Sequence, residues 1–219
     1  MAIRKQTMND IALLSTAYLG PVQYYAKLFG YGTVLIEQYE HYVKQTYRNR
    51  CYVSSAGGVQ ALTVPIVKPE KEKCAIKDIR ISDHGNWRHL HWNALESAYR
   101  NSPFFEYYAD DFQPFYTRKY EFLLDFNLEL QNVVCKLLDM QPVIKLTEHF
   151  VNAGEAAEYD DYRNVIVPGG TYRSDESFRV RDYYQVFQNK LGFQANLSIV
   201  DLLFNMGPEG LLILRDSCV

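Results

Sequence analysis

The spacing of apolar positions changes several times along the chain, and each change marks an element. A short apolar run at 11–14 is followed by Ser15-Thr16-Ala17-Tyr18-Leu19 and Gly20-Pro21. Tyr24, Tyr25, Leu28 and Phe29 then fall at helical spacing up to Gly30. Pro suits the first turn of a helix, where its missing N–H costs nothing, and Gly suits the end. A second apolar run at 33–36 reads as another buried strand. This β-α-β opening predicts an α/β chain with parallel pairing.

Residues 59–67 and 75–81 alternate in the strand manner. Leu62, Val64 and Ile66 share one face of the first run, and Ile79 and Ile81 share one face of the second. The charged stretch 68–73 between them predicts a hairpin with a solvated tip. Over 86–100 the period becomes helical, with Trp87, Leu90, His91, Ala94, Leu95, Ala98 and Tyr99 on one stripe. Ser102-Pro103 ends that helix and opens another over 104–116; a third helix covers 119–138, and 143–146 reads as a strand. Residues 152–181 are rich in Gly, Asp and Tyr and weakly patterned, so they are expected to be largely irregular. In the tail, Ser198 precedes the apolar run 199–204 with Asp201 three residues on, a capping-box-like spacing, and Gly207-Pro208 stops the helix. The expectation is one α/β domain over 1–219: a Rossmann-like layered sheet with flanking helices and an antiparallel hairpin insertion.

Composition narrows the partners. A chain of 219 residues buries roughly 70% of its unfolded surface, so its core needs neither disulfide nor metal. A net charge of −3 supplies no long-range field for nucleic acid or anionic lipid. The longest uncharged stretch, 51–67, is interrupted by Ser, Gly and Pro, which excludes a membrane-spanning helix there. Cys51, Cys74, Cys135 and Cys218 show no C-x-x-C spacing and read as reduced thiols. The expectation is a soluble cytoplasmic protein with no nucleic-acid partner and no membrane insertion; the sequence sets no oligomeric state. Tyrosine is in excess, 18 against 12 Phe and 2 Trp. Its hydroxyls must find partners inside, or its rings must line a groove for a polar ligand such as a sugar.

Candidate chemistry centres on two places. His89 and His91 fall on nearly opposite helix faces and cannot chelate one ion, so no metal site and no cofactor is expected. His91 lies on the apolar stripe, where a hydrogen-bonded core histidine and an acid/base are equally compatible with its position. The second place is Lys44-Gln45-Thr46-Tyr47-Arg48-Asn49-Arg50. Two guanidiniums flanking an amide suit a phosphate, diphosphate or carboxylate, and a solvated basic turn is the alternative. Phosphate-cradling glycine loops, a G-x-S-x-G elbow and H-E-x-x-H are all missing.

Several blocks together resemble the WbqC-like family. They are the run from Leu13 through Ser15-Thr16-Ala17-Tyr18-Leu19-Gly20-Pro21 to Lys27, then Arg48-Asn49-Arg50 with Leu62-Thr63-Val64-Pro65-Ile66. The likeness continues through Asp78-Ile79-Arg80-Ile81, Asn86-Trp87, His91 and Pro103-Phe104-Phe105. It closes with Leu124-Asp125-Phe126-Asn127 and the tail from Asn196 to Glu209. Such proteins occur among genes for O-antigen and other surface polysaccharides, and aminoacyl transfer to a sugar is the activity proposed for some. The resemblance therefore implies a transferase that decorates a nucleotide-linked or lipid-linked sugar, or else a non-catalytic sugar-phosphate-binding protein. On this reading Gln45, Arg48, Asn49 and Arg50 hold an anionic small molecule (a nucleotide-sugar, sugar phosphate or acyl donor). Tyr18, Asn127 and Asn205 position hydroxyls, and His91 or Asp125 serves as base. Leu14-Ser15-Thr16 stands where many relatives carry His-Gln-Pro, and 152–181 is short against the family's usual strand and Gly-rich loop.

Overall fold

The computed structural model describes residues 10–70, 73–170 and 172–219. Strands β1 (Ile11–Ser15) and β2 (Thr33–Glu37) flank helix α1 (Val22–Gly30), as the opening pattern predicts. Strands β5 (Ile144–Leu146) and β6 (Asp160–Asp161) complete a four-stranded parallel sheet in the order β5-β2-β1-β6. Ala12, Leu13 and Leu14 are fully buried, which is why β1 reads as a continuous apolar run rather than an alternating one. From β1 the sheet grows one way to β2 and the other way to β6, so the order reverses between β1 and β6.

The antiparallel hairpin is separate, with β3 (Arg50–Ser55) paired to β4 (Gly58–Thr63). Its partner strand differs from the expected one. Ala56-Gly57 makes a tight connection, Gly58 takes φ 115°, and 50–55 folds back on 58–63. The run 75–81 contributes a 3₁₀ turn at Ile76–Asp78 and isolated bridges that pair Ala75 with His41, Arg80 with Phe122 and Ile81 with Ile66.

Helices α2 (Trp87–Tyr99), α3 (Phe105–Thr117), α4 (Leu123–Leu137) and α6 (Ile199–Met206) meet in an aromatic core; α5 (Gln188–Leu191) is a single turn. Phe204 on α6 lies with its ring centroid 5.3, 5.1 and 5.3 Å from those of Tyr99, Phe105 and Phe112. Gly207 ends α6 at φ 55°, and a Cβ there would sit 2.6 Å from the Phe104 ring, so glycine is required on two counts. Beyond it the chain continues as α7 (Gly210–Ser217) against α1, a helix hidden behind the Gly-Pro stop.

Ser198 makes no side-chain cap on α6, and its hydroxyl donates to the Leu19 carbonyl at 2.7 Å. Asp201 is turned into the core. Its carboxylate accepts hydrogen bonds from the Tyr99 and Tyr183 hydroxyls and the Gln185 amide at 2.9, 2.8 and 2.7 Å. Burial pushes its pKa up to about 6 against the pull of those three donors. Among the described residues, no helix is long and apolar enough to cross a membrane.

Candidate functional site

Open parallel sheets place ligands beyond the carboxyl ends of their strands, where the strand order reverses. Here that point lies beyond Ser15 of β1, beside β6. A narrow cleft opens there, lined by Ser15, Thr16, Tyr24, Tyr47, Arg48 and Tyr162 with Leu14, Ala17 and Ile166. Its volume is about 10 Å³, room for roughly one water.

Arg48 is the charged side chain in this lining, and Glu40 balances it. Its guanidinium donates to both carboxylate oxygens of Glu40 at 2.8 and 2.5 Å, and a third N–H donates to Ser15 Oγ at 2.8 Å. Arg48 and Glu40 are both buried, so the bidentate pair fixes the planar fork at the end of β1. Behind it, Asn127 Nδ2 donates to Thr16 Oγ1 at 3.2 Å and to the Arg48 carbonyl at 2.8 Å. One turn further along α4, Gln131 Oε1 accepts from the Tyr24 hydroxyl at 3.1 Å. The carbonyl partner fixes the Asn127 amide orientation. Its Oδ1 and Gln131 Nε2 are buried and find no hydrogen-bond partner among the described residues.

Tyr18 and His91 lie one layer deeper. The Tyr18 hydroxyl is 2.9 Å from His91 Nδ1 and 2.9 Å from the Tyr116 hydroxyl, between the rings of Phe126 and His91. Burial lowers the His91 pKa to about 4, against a hydrogen bond to the Thr63 backbone that favours the protonated form. The imidazole is therefore neutral at pH 7, with Nδ1 held by the Tyr18 hydroxyl. Thr63 also accepts the Arg50 Nε hydrogen bond on its side chain at 3.0 Å, so the Arg50 guanidinium and His91 meet at one residue.

Arg50 is half-buried, with Tyr52 Oη 3.5 Å from its Nη1; Tyr52 in turn packs edge-on against Tyr47, centroids 6.0 Å apart. Asn49 is turned inward, Nδ2 donating to the Val64 carbonyl at 2.8 Å. Gln45 is exposed in a turn at φ 60°, and Asp125 is exposed in the first turn of α4. Asn205 donates to the Asp201 carbonyl at 2.7 Å within α6. The fold thus brings Tyr18, Arg48, Asn127, Arg50 and His91 into two adjoining layers. Of these residues Arg48 lines the cleft itself; Tyr18, Gln45, Asn49, Arg50, His91, Asp125, Asn127 and Asn205 do not.

Sequence reasoning missed Glu40, Ser15 and a second buried pair. Lys27 sits on the apolar face of α1, 2% exposed, with Nζ 2.8 Å from Asp175 Oδ2. Burial lowers its pKa against the pull of Asp175. Burial works to raise the Asp175 carboxyl, but hydrogen bonds from Lys27 and Gln23 hold it below the usual carboxylate range. A charged residue inside the Tyr24-Tyr25-Leu28 stripe was the one local signal, because a buried lysine demands a partner.

Comparison with known proteins follows the same segments. A model of the WbqC-like protein family matches residues 16–166, which contain Lys27, Arg48, His91, Asn127 and Tyr162 but neither Asp175 nor Ser177. The uncharacterized protein Rv1507c of Mycobacterium tuberculosis is 29% identical over 229 residues, covering 92% of this chain and 96% of that protein. No solved structure matches.

Proposed function

Because this chain belongs to the WbqC-like protein family, we propose that it binds an anionic sugar intermediate beyond the end of β1 and takes part in adding an acyl or aminoacyl group to it. The observation that supports this reading most is Arg48, locked by Glu40 and Ser15 at the point of strand-order reversal. A rigid guanidinium suits a phosphate, and the rings of Tyr47 and Tyr162 suit the flat face of a sugar. The unused amide atoms of Asn127 and Gln131 behind Thr16 and Tyr24 suit hydroxyls. On this reading the half-buried Tyr47 and Tyr162 side chains turn aside to admit the sugar, and half-buried Arg50 supplies a second cation.

A second reading is a protein that holds the sugar phosphate without altering it. The neutral, buried His91 favours it, because its Nδ1 is taken up by the Tyr18 hydroxyl. Thermal shift with UDP-glucose and glucose 1-phosphate, paired with mass spectrometry after addition of an acyl donor, separates the two. Stabilisation that is lost in Arg50→Ala is expected on both readings, and a product heavier by one acyl group on the transferase reading alone. No stabilisation by either probe removes both.

A further inference from the structure

Ser15 and Thr16 stand at the end of β1 in the cleft, and the polarity of both hydroxyls is set by groups that can only donate. A guanidinium has no lone pair to offer, so the 2.8 Å contact from Arg48 Nη2 makes Ser15 Oγ an acceptor. Asn127 Nδ2 gives one proton to the Arg48 carbonyl and the other to Thr16 Oγ1, which is thereby an acceptor too. Each hydroxyl therefore keeps a proton to donate, and neither proton meets an acceptor among the described residues. Tyr24 has the opposite setting, because its proton goes to Gln131 Oε1. Glu40 takes the Nε and Nη2 edge of Arg48, which leaves the edge beside Ser15; Nη1 on that edge bonds to none of the described residues. Donors from three side chains thus meet in a space of about 10 Å³, room for one oxygen atom.

We propose that Ser15 and Thr16 are specificity-determining residues whose hydroxyl protons, with Arg48 Nη1, grip one anionic oxygen of a phosphate group. This rests on the anionic-sugar reading above and names the atoms that recognise the anion. Net charge does not select the occupant, since Glu40 neutralises Arg48. Hydrogen-bond polarity does. An anionic phosphoryl oxygen is an acceptor only and can take all three donors at once. An ammonium has no lone pair for them, and a hydroxyl oxygen accepts fewer and weaker bonds. One phosphoryl oxygen occupies the space between the hydroxyls, and the rest of the group lies beside Tyr47 and Tyr162 at the cleft wall. Arg50 has no carboxylate partner among the described residues and supplies the net charge that Arg48 lacks. Burial raises the Tyr42 phenol pKa while Arg50 and Arg48 both lower it, so the two guanidiniums surround one side chain. Ser15-Thr16 forms no motif, because its polarity is set only when Arg48 and Asn127, 33 and 111 residues away, arrive as donors.

The test is isothermal titration calorimetry of the full chain with inorganic phosphate and glucose 1-phosphate near neutral pH. Glucose 1-phosphate is expected to bind the wild-type protein, and Ser15→Ala and Thr16→Val are each expected to weaken it about 10- to 100-fold. Thr16→Ser, which keeps the hydroxyl, retains wild-type affinity. Should Thr16→Val fail to fold with Asn127 Nδ2 left unpaired, Ser15→Ala and Thr16→Ser decide the matter. Wild-type affinity in Ser15→Ala overturns the proposal and, with glucose 1-phosphate still bound, leaves the sugar reading in place. Inorganic phosphate bound as tightly as glucose 1-phosphate, and lost in Ser15→Ala, retains this inference and removes the sugar reading. Binding of neither probe to the wild-type protein removes both.

Discussion

Arg48–Glu40 and Lys27–Asp175 are both buried ion pairs, and they are built for different work. The guanidinium meets its carboxylate with two parallel bonds, which leaves geometry rigid and charge permanent. The ammonium is a point charge shared among Asp175, Ser177 and the face of Tyr162, and it leads into a file of hydroxyls. The first arrangement fixes the geometry of its charge, whereas the second spreads one charge over several partners. A third buried carboxylate sharpens the contrast. Asp201 has only hydroxyl and amide donors, and its pKa rises to about 6, while Asp175 beside a lysine is held low.

The largest effect is expected from cutting the rigid pair. Arg48→Met leaves Glu40 buried and uncompensated and is expected to cost about 3–5 kcal/mol in urea unfolding. Lys27→Met is expected to cost less, about 1–3 kcal/mol, because Asp175 keeps the Gln23 amide and the Ser177 N–H and hydroxyl. Equal losses would erase the distinction between the two pairs.

Next comes pH. The Asp201 pKa is raised from 3.8 to about 6, so its contribution is full below pH 3.8 and lost as pH rises through about 6. The His91 pKa is lowered from 6.5 to about 4, so its contribution is full above pH 6.5 and lost as pH falls through about 4. Each is worth about 3 kcal/mol and they oppose one another, so wild-type stability is expected to be nearly flat across that window. Asp201→Asn exposes the histidine slope, with stability falling as the solution is acidified from pH 6.5 to 4. An unchanged pH profile in that variant would show that the two groups do not carry these shifts.

The smallest effect marks the far end of the scale. Arg80 and Glu121 form an ion pair at 3.0 Å with both side chains 61% exposed. Glu121→Ala is expected to change stability by less than about 0.5 kcal/mol. A loss comparable to Lys27→Met would mean that burial is not what separates these pairs.

The β-α-β opening was legible because each of its elements satisfies its own period locally. The hairpin partner was not, since 50–55 and 75–81 both alternate and only the Ala56-Gly57 turn chooses between them. β6 was invisible in the 152–181 segment because two residues, Asp160 and Asp161, carry no period at all. At the site, the basic run announced Arg48, but its carboxylate partner could be named only once the chain had folded. Asp201 had the spacing of a cap, and the hydroxyls of Tyr99 and Tyr183 drew it inward instead. Local rules place residues on elements; buried polar partners are chosen by packing between elements.

The most direct measurement is a crystal structure of the protein with UDP-glucose. The diphosphate is expected against Arg48 and Arg50 at the end of β1, with Tyr47 and Tyr162 turned aside to admit the sugar. A nucleotide-sugar bound elsewhere, with the Arg48–Glu40–Ser15 cluster still closed over, would contradict it.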